Sequence, residues 1–240
     1  MKADKRKGQM RPIRITTHFL NNLPRSVLVE FGQTAVLCSS AIEEKVPPFL
    51  KGSGRGWVTA EYSMLPGSSR ERISRDNYRG GRSLEISRLI GRSLRMSADL
   101  AGLGERTVIV DCDVLQADGG TRTAAITGGW VSLALANREL LAGRRIARSC
   151  LTDQVAAVSV GISGTRLLLD LCYEQDSVAD VDLNVVALKS GGLAEVQGTA
   201  ERKPFSPEQL NRMVSLALKG IREIYAAQDR AIKAGPGSRE

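Results

Sequence analysis

The order of apolar and polar positions predicts a chain that alternates between strand-like and helix-like stretches. Ser26 to Phe31 alternates with period two, Gly32-Gln33 reads as a turn, and Thr34 to Ile42 returns as a second strand, which makes a hairpin. Trp57 to Ser63 is a third strand. From Arg82 to Leu100 the period becomes helical: Ile86, Leu89, Ile90, Ser93, Leu94 and Ser97 share one face, and Arg88, Arg92 and Arg95 share the opposite one. Arg82 belongs to neither set and sits at the helix start. Thr107 to Leu115 reads as a strand. Thr123 to Leu141 follows as a mostly buried helix with Ile126, Trp130, Leu133, Leu140 and Leu141 on one side, and Gly143 is expected to end it. Val155 to Ile162 with Arg166 to Leu171, and Val181 to Leu188 with Leu193 to Gly198, form two further strand pairs. Ser206-Pro207-Glu208-Gln209 then opens a last helix as a capping box with proline at its first position, and its tail is expected to fray from about Lys233.

This order predicts an α/β (α+β) sandwich of mixed sheets with packed helices, in one domain of residues 1–240. Two similar halves, about 10–145 and 146–230, each close on an amphipathic helix. No linker rich in Pro, Gly or Ser divides them. The polar stretch from Pro66 to Gly81 is longer than most connections in a compact domain, and loops of that length are usually functional.

Composition narrows the function classes. At 42% hydrophobic and 25% charged the chain is ordinary globular material, not disordered, collagenous or coiled-coil. Its long charge-free stretch, Thr123 to Asn137, is interrupted by Gly128 and Gly129 and falls short of the roughly 20 apolar residues that cross a bilayer. The basic start, Met1 to Arg11, runs into Pro12 with no apolar core, so a cytoplasmic protein not exported by the usual route is expected. Cys38, Cys112, Cys150 and Cys172 lie far apart and His18 is the only histidine, a poor ligand set for structural zinc. The same scarcity disfavours nucleophilic mechanisms that need a histidine base.

The net charge of +8 points to polyanionic partners. Eight arginines and no lysine lie between Arg70 and Arg95, against three acids. The planar guanidinium fork matches phosphate bidentately. Arg70, Arg72, Arg75 and Arg79, in the long loop, are placed to hold a long polyanion. Arg88, Arg92 and Arg95 read as a solvated helix face or a subunit interface. With aromatics at only 4%, grip through phosphate is expected to outweigh base stacking.

Two constellations carry possible chemistry. Gly119-Gly120-Thr121-Arg122 joins a strand to a helix, where glycines let backbone approach an anion and the helix start favours negative charge. An ordinary turn capped by threonine is equally compatible with those residues alone. Asp176-Ser177-Val178-Ala179-Asp180-Val181-Asp182-Leu183-Asn184 places Asp180, Asp182 and Asn184 on one face of a strand, with a turn able to fold Asp176 back toward Asp182. Two carboxylates with open positions suit Mg2+ together with substrate phosphate; a polar strand end in solvent is the competing reading.

Several longer motifs now bear on function: Lys45 to Leu50, Gly56 to Pro66, Glu85 to Arg92, Asp111 to Ala124 and Asp176 to Asn184. In that order, over about Arg11 to Tyr225, they resemble bacterial ribonuclease PH. The resemblance implies the ribonuclease PH fold, similar to domain 2 of ribosomal protein S5. It implies a phosphorolytic 3′-to-5′ exoribonuclease that trims tRNA precursors and releases nucleoside diphosphates, reversibly. Arg82, Gly120, Thr121 and Arg122 would hold the attacking inorganic phosphate, and Asp176 and Asp182 would bind Mg2+ and support catalysis. A hexameric ring, a trimer of dimers with loop arginines facing its channel, is implied as well. The segment from Asp4 to Pro12 lacks the expected acidic pair, and Cys172 and Gln175 stand where an aspartate or asparagine and a glutamate are usual; Gln175 makes the acidic cluster less negative, which implies a weaker metal site. A non-catalytic ring subunit is the main alternative, and the retention of Asp176, Asp182, Arg82 and Arg122 argues against it.

Overall fold

The computed structural model describes residues 8–76 and 80–234. Two sheets enclose a helical layer. The first has five strands, β1 (Ile13–Thr17), β2 (Val27–Phe31), β3 (Thr34–Glu43), β4 (Trp57–Met64) and β5 (Thr107–Gln116), in the order β1-β2-β3-β5-β4. All its pairings are antiparallel except β4 with β5. The second sheet is antiparallel, with β6 (Val155–Ser163), β7 (Arg166–Leu169), β8 (Val181–Leu188) and β9 (Leu193–Ala200) in the order β7-β6-β8-β9. The helices are α1 (Gly81–Arg95), α2 (Leu100–Leu103), α3 (Thr121–Ala142), α4 (Tyr173–Asp176) and α5 (Pro207–Ala234).

The alternating burial of β2 and β3 matches the period-two reading of the sequence. The capping box at α5 forms as expected: the Ser206 N–H donates to Gln209 Oε1 at 2.8 Å, and the Gln209 N–H donates to Ser206 Oγ at 3.2 Å. α5 is helical through Ala234, and the tail beyond it lies outside the described residues.

Helix α3 is mostly buried, as expected, but it is not the amphipathic closing helix expected of this half. It is buried nearly all round because it packs on β2, β3 and β5 of one sheet and on β6 of the other. Gly128 permits that approach, since a Cβ there would lie 2.8 Å from the Cys38 sulfur. One continuous apolar cluster therefore spans both sheets, from Val27 and Val110 to Val158 and Val185. α5 keeps the expected one-sided pattern and lies against β6, β8 and β1.

Two local readings are corrected. α1 ends at Arg95 rather than Leu100, because the chain turns so that Ser97 and Asp99 can bond the second half: the Thr152 N–H donates to Ser97 O and the Asp99 N–H to Cys150 O. α3 starts at Thr121, not Thr123. Gly143 is the C-cap of α3, as expected; the left-handed residue is the next one, Arg144 (φ 55°), and N–H groups of Arg144 and Arg145 close onto the carbonyls of Leu141 and Leu140.

The arginine face of α1 is divided between roles. Arg95 folds onto β4, with its guanidinium 4.1 Å from the Trp57 ring centre and a 2.8 Å bond to Val58 O, so it is not a solvated side chain. Arg92 pairs with Glu195 on β9 at 3.0 Å, and Arg88 is exposed. Among the described residues no helix is long and apolar enough to cross a membrane.

On the outer face of the first sheet, Asp111 sits opposite Glu61 and two residues from Asp113. Burial first, then those two carboxylates, push its carboxyl up to about 6 from 3.8. The folded chain thus binds this proton more tightly than the unfolded chain. The ionised carboxylate therefore opposes folding, and stability falls as pH rises through that window. Asp111→Asn will stabilise the protein at pH ~7 by about 1 kcal/mol after allowance for solvent screening, and by nothing at pH ~3.5. Equal gains in melting temperature at both pH values would assign the effect to packing instead.

Candidate active site

The two constellations read from the sequence meet in one cleft of about 1070 Å3 between the halves. The first half contributes Arg70, Arg82 in the first turn of α1, and Gly119, Gly120, Thr121 and Arg122 where β5 leads into α3. The second half contributes Asp176 on α4 and Asp182 and Asn184 on β8.

Local geometry makes the first group a candidate for binding an anion. Gly119 and Gly120 both adopt positive φ, 75° and 67°, and Gly120 is the N-cap of α3. First-turn N–H groups of a helix lack intrahelical partners, and the helix dipole adds positive potential there. Thr121 Oγ1 lies 2.8 Å from the Tyr62 hydroxyl. Arg122 is held toward the cleft by Gln197 Oε1 at 2.8 Å and by Glu85 at 3.7 Å, and Gln197 in turn donates to Glu85 at 3.0 Å.

The acidic group is crowded. Burial raises the Asp182 carboxyl, and Asp176 and Glu201 raise it further. Burial also raises Asp176, against the lowering pull of Arg122 and Arg82. That pull places both arginines within electrostatic reach of Asp176, and Arg122 also within reach of Asp182. Asp182 Oδ1 is buried with no hydrogen-bond partner, the condition of an oxygen built to receive a cation. A hard divalent ion that needs one or two protein carboxylates and takes its other ligands from phosphate and water fits this donor set. Among the described residues no group of three or more His, Cys, Asp or Glu side chains forms a closed metal cage.

Asp180 departs from the strand-face expectation. It precedes the first residue of β8, and its carboxylate accepts from the Gly164 N–H at 2.7 Å, so it does not enter the cleft lining. Cys172 and Gln175 form the capping box of α4, with the Cys172 N–H donating to Gln175 Oε1 at 3.4 Å. They hold the single turn that carries Asp176 and lie outside the cleft lining. Of the loop arginines, Arg70 reaches the cleft, 3.9 Å from Glu174 and 5.6 Å over the Tyr173 ring. Arg72 and Arg75 are exposed beyond its lining, and Arg79 lies outside the described residues. Glu201, Gln197, Glu85 and Tyr62 carried no sequence signal as site residues, because pairing between β8 and β9 and packing of β4 bring them in.

Residues 9–139 match the 3′ exoribonuclease family, domain 1, and residues 153–220 match domain 2 of the same family. The chain belongs to the 3′ exoribonuclease family. Its phosphate-binding candidates thus lie in the family's first domain and both aspartates in the second. Solved structures agree on the fold. Rice (Oryza sativa) Rrp46 superposes with a TM-score of 0.77 at 17% identity, covering 96% of this chain and 98% of that one. A chain of the Archaeoglobus fulgidus exosome with RNA bound to the active site gives 0.75 at 19%, covering 91% and 89%. An archaeal exosome core chain gives 0.73 at 18%, covering 92% and 88%. The two-sheet architecture is the ribonuclease PH fold.

Proposed function

We propose that this 3′ exoribonuclease family member is a phosphorolytic 3′-to-5′ enzyme that trims tRNA precursors, with inorganic phosphate as nucleophile and nucleoside diphosphates as products. The observation that carries the reading is the convergence of Arg82, Gly120, Thr121 and Arg122 with Asp176 and Asp182 in a single cleft. An anionic nucleophile meeting an anionic phosphodiester needs its charge offset and its approach fixed, and little else. Arg82, Arg122 and the α3 N-terminus would hold the phosphate, and the Thr121 hydroxyl would donate a hydrogen bond to it. Phosphate is already largely ionised near neutral pH, so no histidine base is required. Asp176 and Asp182 would hold Mg2+, which when bound would offset charge on the phosphoryl oxygens. Arg70, with Arg72, Arg75 and Arg79, would guide the RNA backbone toward the cleft. A hexameric ring, a trimer of dimers working in the cytoplasm, is the assembly we assign, in keeping with the RNA-bound exosome among its structural relatives.

The test supplies the protein and Mg2+ with RNA bearing a short single-stranded 3′ tail, with and without phosphate. Nucleoside diphosphates released only when phosphate is present are expected. Nucleoside monophosphates in either condition would establish hydrolysis and remove the roles given to Arg82 and Arg122. RNA bound but not shortened would establish a non-catalytic ring subunit.

A further inference from the structure

A buried ion pair lies directly beneath the anion-binding loop. Arg11, ahead of β1, and Asp170, just after β7, are 159 residues apart in sequence. Arg11 Nε and Nη2 donate to the two Asp170 carboxylate oxygens at 2.9 and 2.7 Å, and the Arg11 backbone N–H donates to the same carboxylate at 2.8 Å. Their side chains are 8% and 0% exposed. Asp170 is itself placed by a 2.6 Å bond from its N–H to Ser159 O and adopts φ 55°.

The guanidinium has hydrogens to spare after this pairing, and they reach the loop. Arg11 Nη1 donates to Asp118 O at 2.5 Å and Nη2 to Gly119 O at 3.3 Å. The Thr34 hydroxyl braces the same turn, donating to Gly119 O at 2.6 Å and accepting from the Asp118 N–H at 3.0 Å. In a trans peptide the N–H points opposite to the C=O. Drawing the carbonyls of Asp118 and Gly119 down onto Arg11 therefore turns the N–H groups of Gly119 and Gly120 the other way. Both glycines line the cleft.

We propose that Arg11, held by Asp170, is a positioning residue for the phosphate site: it pins two carbonyls so that the opposite edges of the same peptides present N–H donors to the anion. The inference rests on the phosphorolytic reading above and deepens it. It gives the loop's two left-handed glycines a function, since glycine adopts positive φ readily and leaves the peptide edges open to the anion.

Arg11→Lys keeps a cation for Asp170, but one ammonium cannot bond both carboxylate oxygens and two carbonyls. Thr34→Val removes the second brace and leaves the ion pair intact, so it decides the matter if the lysine variant fails to fold. In each variant the KM for phosphate will rise about tenfold or more, while the KM for RNA and kcat at saturating phosphate stay within about threefold. Calorimetric titration with inorganic phosphate, without RNA, will show the same loss of affinity. A lowered melting temperature and kcat with unchanged phosphate KM and affinity would make the clamp merely structural and overturn the inference alone. Failure of the unaltered protein to bind phosphate would overturn the phosphorolytic reading and the clamp's role with it.

Discussion

Asp182→Ala will reduce nucleoside diphosphate release by at least about 10³-fold, because it removes a carboxylate to which the proposed function assigns charge compensation at the reacting phosphate. Binding of RNA, which the proposed function assigns to arginines rather than to this group, will change little. The substitution will not lower the melting temperature measured without divalent cations. Asp182 Oδ1 is buried without a hydrogen-bond partner, and Asp176 and Glu201 repel the ionised group, so alanine discards an unfavourable placement. Natural sites often retain such destabilising groups for function. Activity within tenfold of the unaltered protein, or loss of the fold, would contradict the role assigned to Asp182.

Gly119→Ala is the second large effect, and its origin is steric. A Cβ at this position would lie 2.8 Å from the Cys172 carbonyl carbon, 2.9 Å from the Tyr173 nitrogen and closer still to the Leu171 carbonyl. All are backbone atoms that no rotamer change can move. The residue also adopts φ 75°, where an L side chain is disfavoured by about 1–2 kcal/mol. We expect a stability loss of roughly 2–4 kcal/mol in urea unfolding. Activity will fall as well, since this close approach holds the anion loop beside the turn that carries Asp176. Gly164→Ala is the control: it too has positive φ (61°), but nothing lies within 4 Å of its Cβ, so only the backbone strain should register. Equal losses at the two sites would refute the steric argument.

Much of the architecture was legible in the chain because its signals are local. Period-two stretches specify β2 to β5, the Ser206 to Gln209 capping box specifies the start of α5, and the paired glycines before Thr121 specify a turn able to meet an anion. The residue types that could carry phosphate and metal were visible for the same reason, since guanidinium and carboxylate chemistry is intrinsic to the side chain.

Only the tertiary structure decided which of those residues meet. Asp180 and Asp182 share a sequence pattern, yet the strand begins one residue after Asp180, and Gly164 takes its carboxylate away from the cleft. Arg95 shares a helix face with Arg88, yet Trp57 and Val58 draw it onto β4. Glu201, Gln197 and Arg11 enter through strand pairing and a contact that spans 159 residues. Spacing along the chain encodes which face of an element a residue occupies. Which other element covers that face is set by the closing of two sheets on α3, a free-energy minimum of the whole chain that no short segment contains.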